Sequence, residues 1–191
     1  SLLGLPLALR VFIREKSKVN WKPMKFLIGG RVIGGPIGLV FLTTLDPHLL
    51  SISVGVIVLS AGLGSYFGWN VKRNSINSLL AGTFSGIFGM IAAIGGPPVA
   101  ILYRGTKGSE FRPSLNAVFT LGILITLSLL AFTGNLLQDH LVLFLYLVLP
   151  VLLGIRFSSL LFSRVSDKLI ADMVTYFSIF SGAVVIYRAL F

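Results

Sequence analysis

Apolar residues occur along this chain in long runs that are separated by short polar gaps. A helix needs about 20 apolar residues to cross the hydrocarbon core of a bilayer. Uninterrupted runs of about this length cover residues 26–45, 49–70, 114–134, 141–162 and 169–190. The pattern therefore predicts an all-α, polytopic helical membrane protein.

A further apolar region, residues 76–103, contains a break. Gly95, Gly96, Pro97 and Pro98 interrupt it. Proline has no backbone N–H to donate, so two prolines cannot lie inside a continuous helix without disrupting it. The region is predicted to form a half-helix, a break and a second short half-helix.

Lys and Arg are concentrated in alternate gaps. They flank the first full run, follow the second and follow the broken region, whereas the gaps at 46–48 and 138–140 contain neither residue. Cytoplasmic loops carry the excess of positive charge, which places the basic gaps inside. Both ends of the broken region are then cytoplasmic, so it should be a re-entrant hairpin, whose non-helical backbone must be buried in protein or line a wet cavity.

Composition excludes several classes of protein. Charged residues make up only 12% of the chain, against roughly 25% in soluble domains. The net charge of +10 does not indicate nucleic-acid binding, because the positive residues lie in short gaps between apolar runs rather than on a polar scaffold. There is no Cys, the acidic residues lie in loops or near the ends of runs, and no His/Asp/Glu cluster occurs. We therefore expect no metal, no cofactor and no catalytic triad.

A shift of 120 positions superimposes residues 26–67 on 146–187. Gly34 then meets Gly154, and Gly62 meets Gly182. The two copies would cross the membrane in opposite directions, which is the inverted-repeat plan of many secondary transporters. Residues 1–70 would be the later part of the first repeat, and residues 76–191 the second. The counterpart of the Gly-rich stretch 81–97 would precede Ser1, so we expect the sequence to lack that first copy.

Small residues recur at four-residue spacing before the break, with Gly82, Gly86 and Gly89 among them. Such rows let two helices approach to backbone contact, and packing is the favoured interpretation for these glycines. A second row comprises Gly30, Gly34 and Gly38, and it is predicted to pack against the hairpin.

The break itself is the candidate binding site. Gly95 and Gly96 would let a solute approach the backbone. Pro97 or Pro98 would begin the second short helix, where a missing N–H costs nothing. Free amides at that N-terminus, together with the helix dipole, would favour an anion.

Polar side chains near the break are candidates for the same site. Thr83 and Ser85 would donate hydroxyl groups, although either can instead bond to its own helix. Arg104 would attract an anion from the cytoplasm or simply anchor the cytoplasmic end. Arg31 and Arg156 lie within apolar runs, where an ionisable residue suggests function, but snorkelling to the headgroups is the favoured interpretation for both.

Two stretches around the break resemble a known family. Residues 78–89, SLLAGTFSGIFG, followed by 94–99, IGGPPV, resemble the second-half signature of the sulfite exporter TauE/SafE family. Residues 111–114, FRPS, and the basic stretch 18–22, KVNWK, are also similar to it. The resemblance implies a bacterial-type plasma-membrane permease for sulfite, sulfonates or related organosulfur anions, built from two related halves.

These observations predict a secondary transporter that moves a small anion by alternating access through a site near residues 95–98. Its partners would be the lipid bilayer and the anionic solute. Coupling to protons or sodium is left open because no residue is identified for it, and the oligomeric state is left open as well. The alternatives are a non-transporting assembly or receptor subunit and, less favoured, an intramembrane enzyme.

Overall fold

A computed structural model describes residues 2–68, 71–104, 106, 108–134, 145–154 and 167–190. Within these ranges the regular structure is helical, without strands. Apart from two short 3-10 turns near the N-terminus, the helices are α1 (Leu5–Glu15), α2 (Trp21–Thr44), α3 (Pro47–Tyr66), α4 (Ser75–Ala92), α5 (Gly96–Leu102), α6 (Gly108–Phe132), α7 (Leu145–Gly154) and α8 (Asp167–Leu190).

Large apolar side chains cover the outside of the molecule. Helices α2, α3 and α4, and the segment Pro113–Phe132 of α6, are long and apolar enough to cross a membrane. Phe132 is 89% exposed and Tyr146 is 77% exposed. Such a surface is stable against lipid rather than water, and the prediction of an all-α polytopic membrane protein is confirmed.

The helices begin before the apolar runs that predicted them, and α3 ends earlier than its run, at Tyr66. Helix α2 begins at Trp21, where the Asn20 side chain accepts a hydrogen bond from the Lys22 amide at 3.2 Å. Helix α3 begins after Asp46, whose side chain accepts from the Leu49 amide at 2.9 Å. The predicted boundaries were therefore wrong by several residues, because capping side chains and polar first turns belong to the helices although they add no hydropathy. Most of the predicted run 141–162 lies outside the described residues.

The predicted break is confirmed, but the turn comes earlier than the glycines. Helix α4 ends at Ala92, and Ala93 adopts the left-handed conformation with φ 57° and ψ 20°. The Ile94 amide donates to the Phe88 carbonyl at 3.3 Å, which closes the end of α4. The first arm has 18 residues, about 27 Å, so the prediction of a half-helix there was wrong.

Both ends of this hairpin lie at the same end of the molecule. The Arg73 guanidinium, just before α4, stacks 5.0 Å from the centre of the Tyr103 ring, which follows α5. The same guanidinium pairs with Glu110 at 2.8 Å. Arg104 reaches the Ser65 carbonyl near the end of α3 at 3.5 Å. The chain therefore returns to the level at which α4 began, as a re-entrant hairpin requires.

Helices α2 and α4 pack with their backbones in contact. A Cβ added at Gly30 or Gly34 would overlap backbone atoms of Leu79 or Thr83. A Cβ at Gly82 would overlap the Leu27 carbonyl on α2. This α2–α4 interface confirms the predicted packing role of Gly82 and Gly86 in the first row and of the second glycine row.

Helices α3 and α8 form a second close interface. A Cβ at Gly62 would lie 2.7 Å from Ile179 Cγ1, and one at Gly182 would lie 2.7 Å from the Leu59 amide nitrogen. Gly62 and Gly182 are positions that the 120-residue shift aligns. The division into two inverted repeats stays a prediction, because much of the second copy lies outside the described residues.

Candidate functional site

Arg31 lies near the middle of the 24-residue helix α2, and its side chain is buried. It is only 5% exposed. The snorkelling interpretation of this residue was therefore wrong, since its guanidinium turns toward the interior instead of reaching the headgroups. Arg156, for which the same interpretation was made, lies outside the described residues.

The Arg31 side chain is connected to the break by hydrogen bonds. Its Nη1 donates to Ser85 Oγ on α4 at 3.0 Å. Ser85 Oγ in turn donates to the carbonyl of Gly95, the residue before α5. A single hydroxyl thus joins a cation on α2 to the tip of the α4–α5 hairpin, which fixes the position of the guanidinium.

Three glycines create the space that the guanidinium occupies. A Cβ at Gly122 on α6 would overlap Arg31 Cζ, and one at Gly89 on α4 would lie 2.8 Å from its Nη2. A Cβ at Gly95 would lie 3.0 Å from Nη1. Gly89 had been interpreted as a helix-packing glycine. Its missing side chain instead makes room for an arginine.

A cavity of about 490 Å³ opens beside this guanidinium. Helices α1 and α6 form its other walls, and Asn116 and Thr126 contribute polar groups there. Its remaining lining residues are Gly4, Ala8, Gly89, Ala93, Gly95, Phe119 and Ile123. The cavity is thus mostly apolar, with a single fixed cation on one wall, which is the composition expected of a small-molecule site.

No acidic side chain among the described residues neutralises Arg31. Within those residues the ion pair present is Arg73–Glu110, which is about one quarter exposed and lies at the end of the hairpin. The described part of the chain also contains no group of three or more His, Cys, Asp or Glu residues that could hold a metal ion. A buried guanidinium without a counter-charge is costly, so the site favours an anionic occupant.

Comparison with models of known protein families identifies the family of this chain. Residues 2–185 match the sulfite exporter TauE/SafE family. The chain belongs to this family. TauE/SafE proteins are membrane transporters, so this member is a multi-pass transport protein. Comparisons with curated proteins and with solved structures gave no match.

Two of the residues predicted for the TauE/SafE site, Ser85 and Gly95, lie next to Arg31. Thr83 does not line the cavity beside Arg31, and its hydroxyl donates to the Leu79 carbonyl of its own helix at 3.0 Å. Gly96 faces α6, where a Cβ would lie 3.2 Å from the Phe119 ring.

The two prolines of the TauE/SafE break lie in the first turn of α5, as predicted. That helix has only seven residues. Pro97 and Pro98 lack N–H groups, so the turn has fewer free donors than the prediction of an amide-based site assumed. Arg31 therefore supplies positive charge that the short helix cannot. Pro97 and Arg104 line a different cavity, on the other side of α5.

Sequence reasoning missed the importance of Arg31, Asn116 and Gly122 in this TauE/SafE protein. A signal for Arg31 was present, since Gly30 precedes it and Gly34 and Gly35 follow within one turn. Where glycines let another helix pack closely beside Arg31, the long arginine side chain has no room to extend along the surface of α2 to the headgroups. Gly122 carries no comparable signal, because its partner is 91 positions away in sequence.

Proposed function

We propose that this protein carries small oxyanions across the membrane by alternating access, with Arg31 as the group that binds them. The observation that carries the proposal is the buried, unneutralised guanidinium beside the hairpin break. A transport site must be accessible through the protein yet shielded from lipid, and a cavity next to a broken helix meets both conditions.

The geometry suits an anion with several oxygen atoms. Guanidinium presents its N–H donors in a planar fork that matches two oxygens at once. Nη1 of Arg31 is engaged by Ser85, which leaves other N–H groups of the guanidinium for a ligand on the cavity side. Asn116 and Thr126 lie on the same cavity and can contact further oxygens.

Sulfite and short sulfonates are the proposed substrates. Each is an anion whose sulfur carries three oxygens, and the mostly apolar cavity has room for a short organic tail. Membership of the sulfite exporter TauE/SafE family supports this choice. The positive-inside rule supports a cytoplasmic location for the end of the molecule at Arg73 and Arg104, in a bacterial-type plasma membrane.

The test is flux of radiolabelled sulfite in proteoliposomes that contain the purified chain. We expect Arg31→Gln to reduce flux roughly 100-fold, because the substitution removes the buried positive charge that would pair with the bound anion. Arg31→Lys should retain partial flux, since lysine keeps the charge but lacks the fork. Arg188→Gln, at an exposed position on α8, is the matched control and should behave like the parent.

The same assay distinguishes the alternatives. Absence of sulfite and methanesulfonate flux in folded parent protein would favour the assembly or receptor subunit. Parent-like flux in Arg31→Gln would refute the assignment of Arg31. Size-exclusion profiles of each variant in detergent establish that the compared proteins are folded.

A further inference from the structure

A second cavity of about 340 Å³ lies between α3, α5 and α8. The Arg104 side chain lines it at the end of the molecule where α3 terminates. Arg104 is exposed, and its Nη1 donates a long hydrogen bond of 3.5 Å to the Ser65 carbonyl. It forms no ion pair with an acidic side chain in the described part of the chain.

Hydroxyl groups converge on the same cavity. Ser65 Oγ and Thr175 Oγ1 lie 3.0 Å apart across the α3–α8 interface. Ser178 lies three residues after Thr175 on α8, so both side chains occupy one helix face. A guanidinium and several hydroxyls thus surround one space, which is the donor set that binds oxyanions in proteins.

The rest of the wall is small and apolar. It consists of Ala61, Gly62, Pro97, Ala100 and Ile101. Small side chains leave the space open, and the apolar surface can contact a short organic tail. The cavity therefore has a polar part for a charged headgroup and an apolar part beside it.

Helix α5 separates this cavity from the one at Arg31. Pro97 lines the Arg104 cavity, whereas Gly95, two residues earlier, lines the Arg31 cavity. Gly96 lies between them against Phe119. The two cations thus lie in separate cavities divided by the short arm of the hairpin.

We propose that the Arg104 cavity is a second oxyanion-binding site, distinct from the site at Arg31. In transport, this cavity would be an intermediate binding site from which anions pass to Arg31. That role rests on the proposed transport function, whereas binding of an oxyanion at Arg104 does not. The oxyanion can belong to a free solute such as sulfite or to a lipid headgroup, because both present charged oxygens to the same donors.

Binding is tested by calorimetric titration of sulfite into the full chain in nanodiscs of zwitterionic lipid. Two binding events are expected in the parent protein. Arg104→Gln should weaken one of them about tenfold, as expected for loss of one charged hydrogen-bond donor, and leave the other unchanged. Ser178→Ala should weaken the same event by a smaller factor, while Arg188→Gln should change neither.

The result separates this proposal from the transport proposal. If Arg31→Gln weakens one event and Arg104→Gln weakens the other, two sites exist whether or not the protein transports. Parent-like titration of Arg104→Gln would overturn the proposal.

Repeating the titration with phosphatidylglycerol in the nanodisc identifies the source of the oxyanion. A lipid occupant lowers the apparent sulfite affinity of the parent but not of Arg104→Gln, and a solute site shows no such competition.

Discussion

Replacing Gly122 by alanine should displace the Arg31 guanidinium. A Cβ at this position would overlap three atoms of the guanidinium group, Nε, Cζ and Nη2. Carbon atoms in contact need roughly 3.5 Å, so the group must move by more than about 1 Å. That movement breaks the 3.0 Å hydrogen bond to Ser85. Loss of such a bond to a charged group costs about 1.5–3 kcal/mol, and overpacking adds about 1–3 kcal/mol.

Two measurements follow from this magnitude. Sulfite affinity at the Arg31 site should fall by about tenfold or more, since 1.4 kcal/mol corresponds to a factor of ten. The unfolding transition of the purified protein in mild detergent should move to lower denaturant concentration. Gly29→Ala on α2 is the control, because a Cβ there meets only Leu79 Cδ1 at 3.9 Å, an ordinary contact.

A double-mutant cycle isolates the cause. With Arg31→Ala as the background, the obstruction is gone and Gly122→Ala should cost less than about 0.5 kcal/mol. An equal cost of Gly122→Ala in both backgrounds would show that the substitution acts on helix packing rather than on the guanidinium. Parent-like affinity and stability in Gly122→Ala alone would refute the described geometry.

Two further substitutions test the hairpin and its support. Ala93→Gly should raise the free energy of unfolding by about 1 kcal/mol in denaturant titration, because the left-handed conformation is costly for any residue with a Cβ. A destabilised variant would contradict the left-handed turn at this position. Gly34→Ala should destabilise it by about 1–3 kcal/mol in the same assay, since the added Cβ overlaps the Thr83 backbone of α4. Equal stability of Gly34→Ala and Gly29→Ala would argue against backbone contact between α2 and α4.

Much of the architecture could be predicted from hydropathy and from the positions of proline. Run length alone indicates the membrane helices, and two consecutive prolines require the break. Helix ends were less predictable, because Asn20 and Asp46 extend their helices by capping rather than by hydropathy. The position of the turn was missed for a similar reason. Glycine is the usual left-handed residue, yet Ala93 adopts that conformation while Gly95 does not.

The candidate site was predicted only in part. Ser85 and Gly95 were identified because they lie in or near the break, which local sequence reveals. The direction of the Arg31 side chain depends on glycines from α4, the break and α6, and a single sequence does not show which of them meet. The donors of the site were consequently attributed to backbone amides, whereas the structure brings a charged side chain to the break.

The contact between α2 and α4 also determines how the protein can move. Their glycine rows bring carbonyls of one helix into spaces on the other, so the two cannot slide without collisions and should behave as one rigid body. Arg31 and the hairpin tip belong to that body. The opposite walls of its cavity come from α1 and α6, which pack on each other. Helix α6 also packs against α2, so we expect α1 to be the part of the wall that moves to expose a bound anion, while the cation itself stays in place.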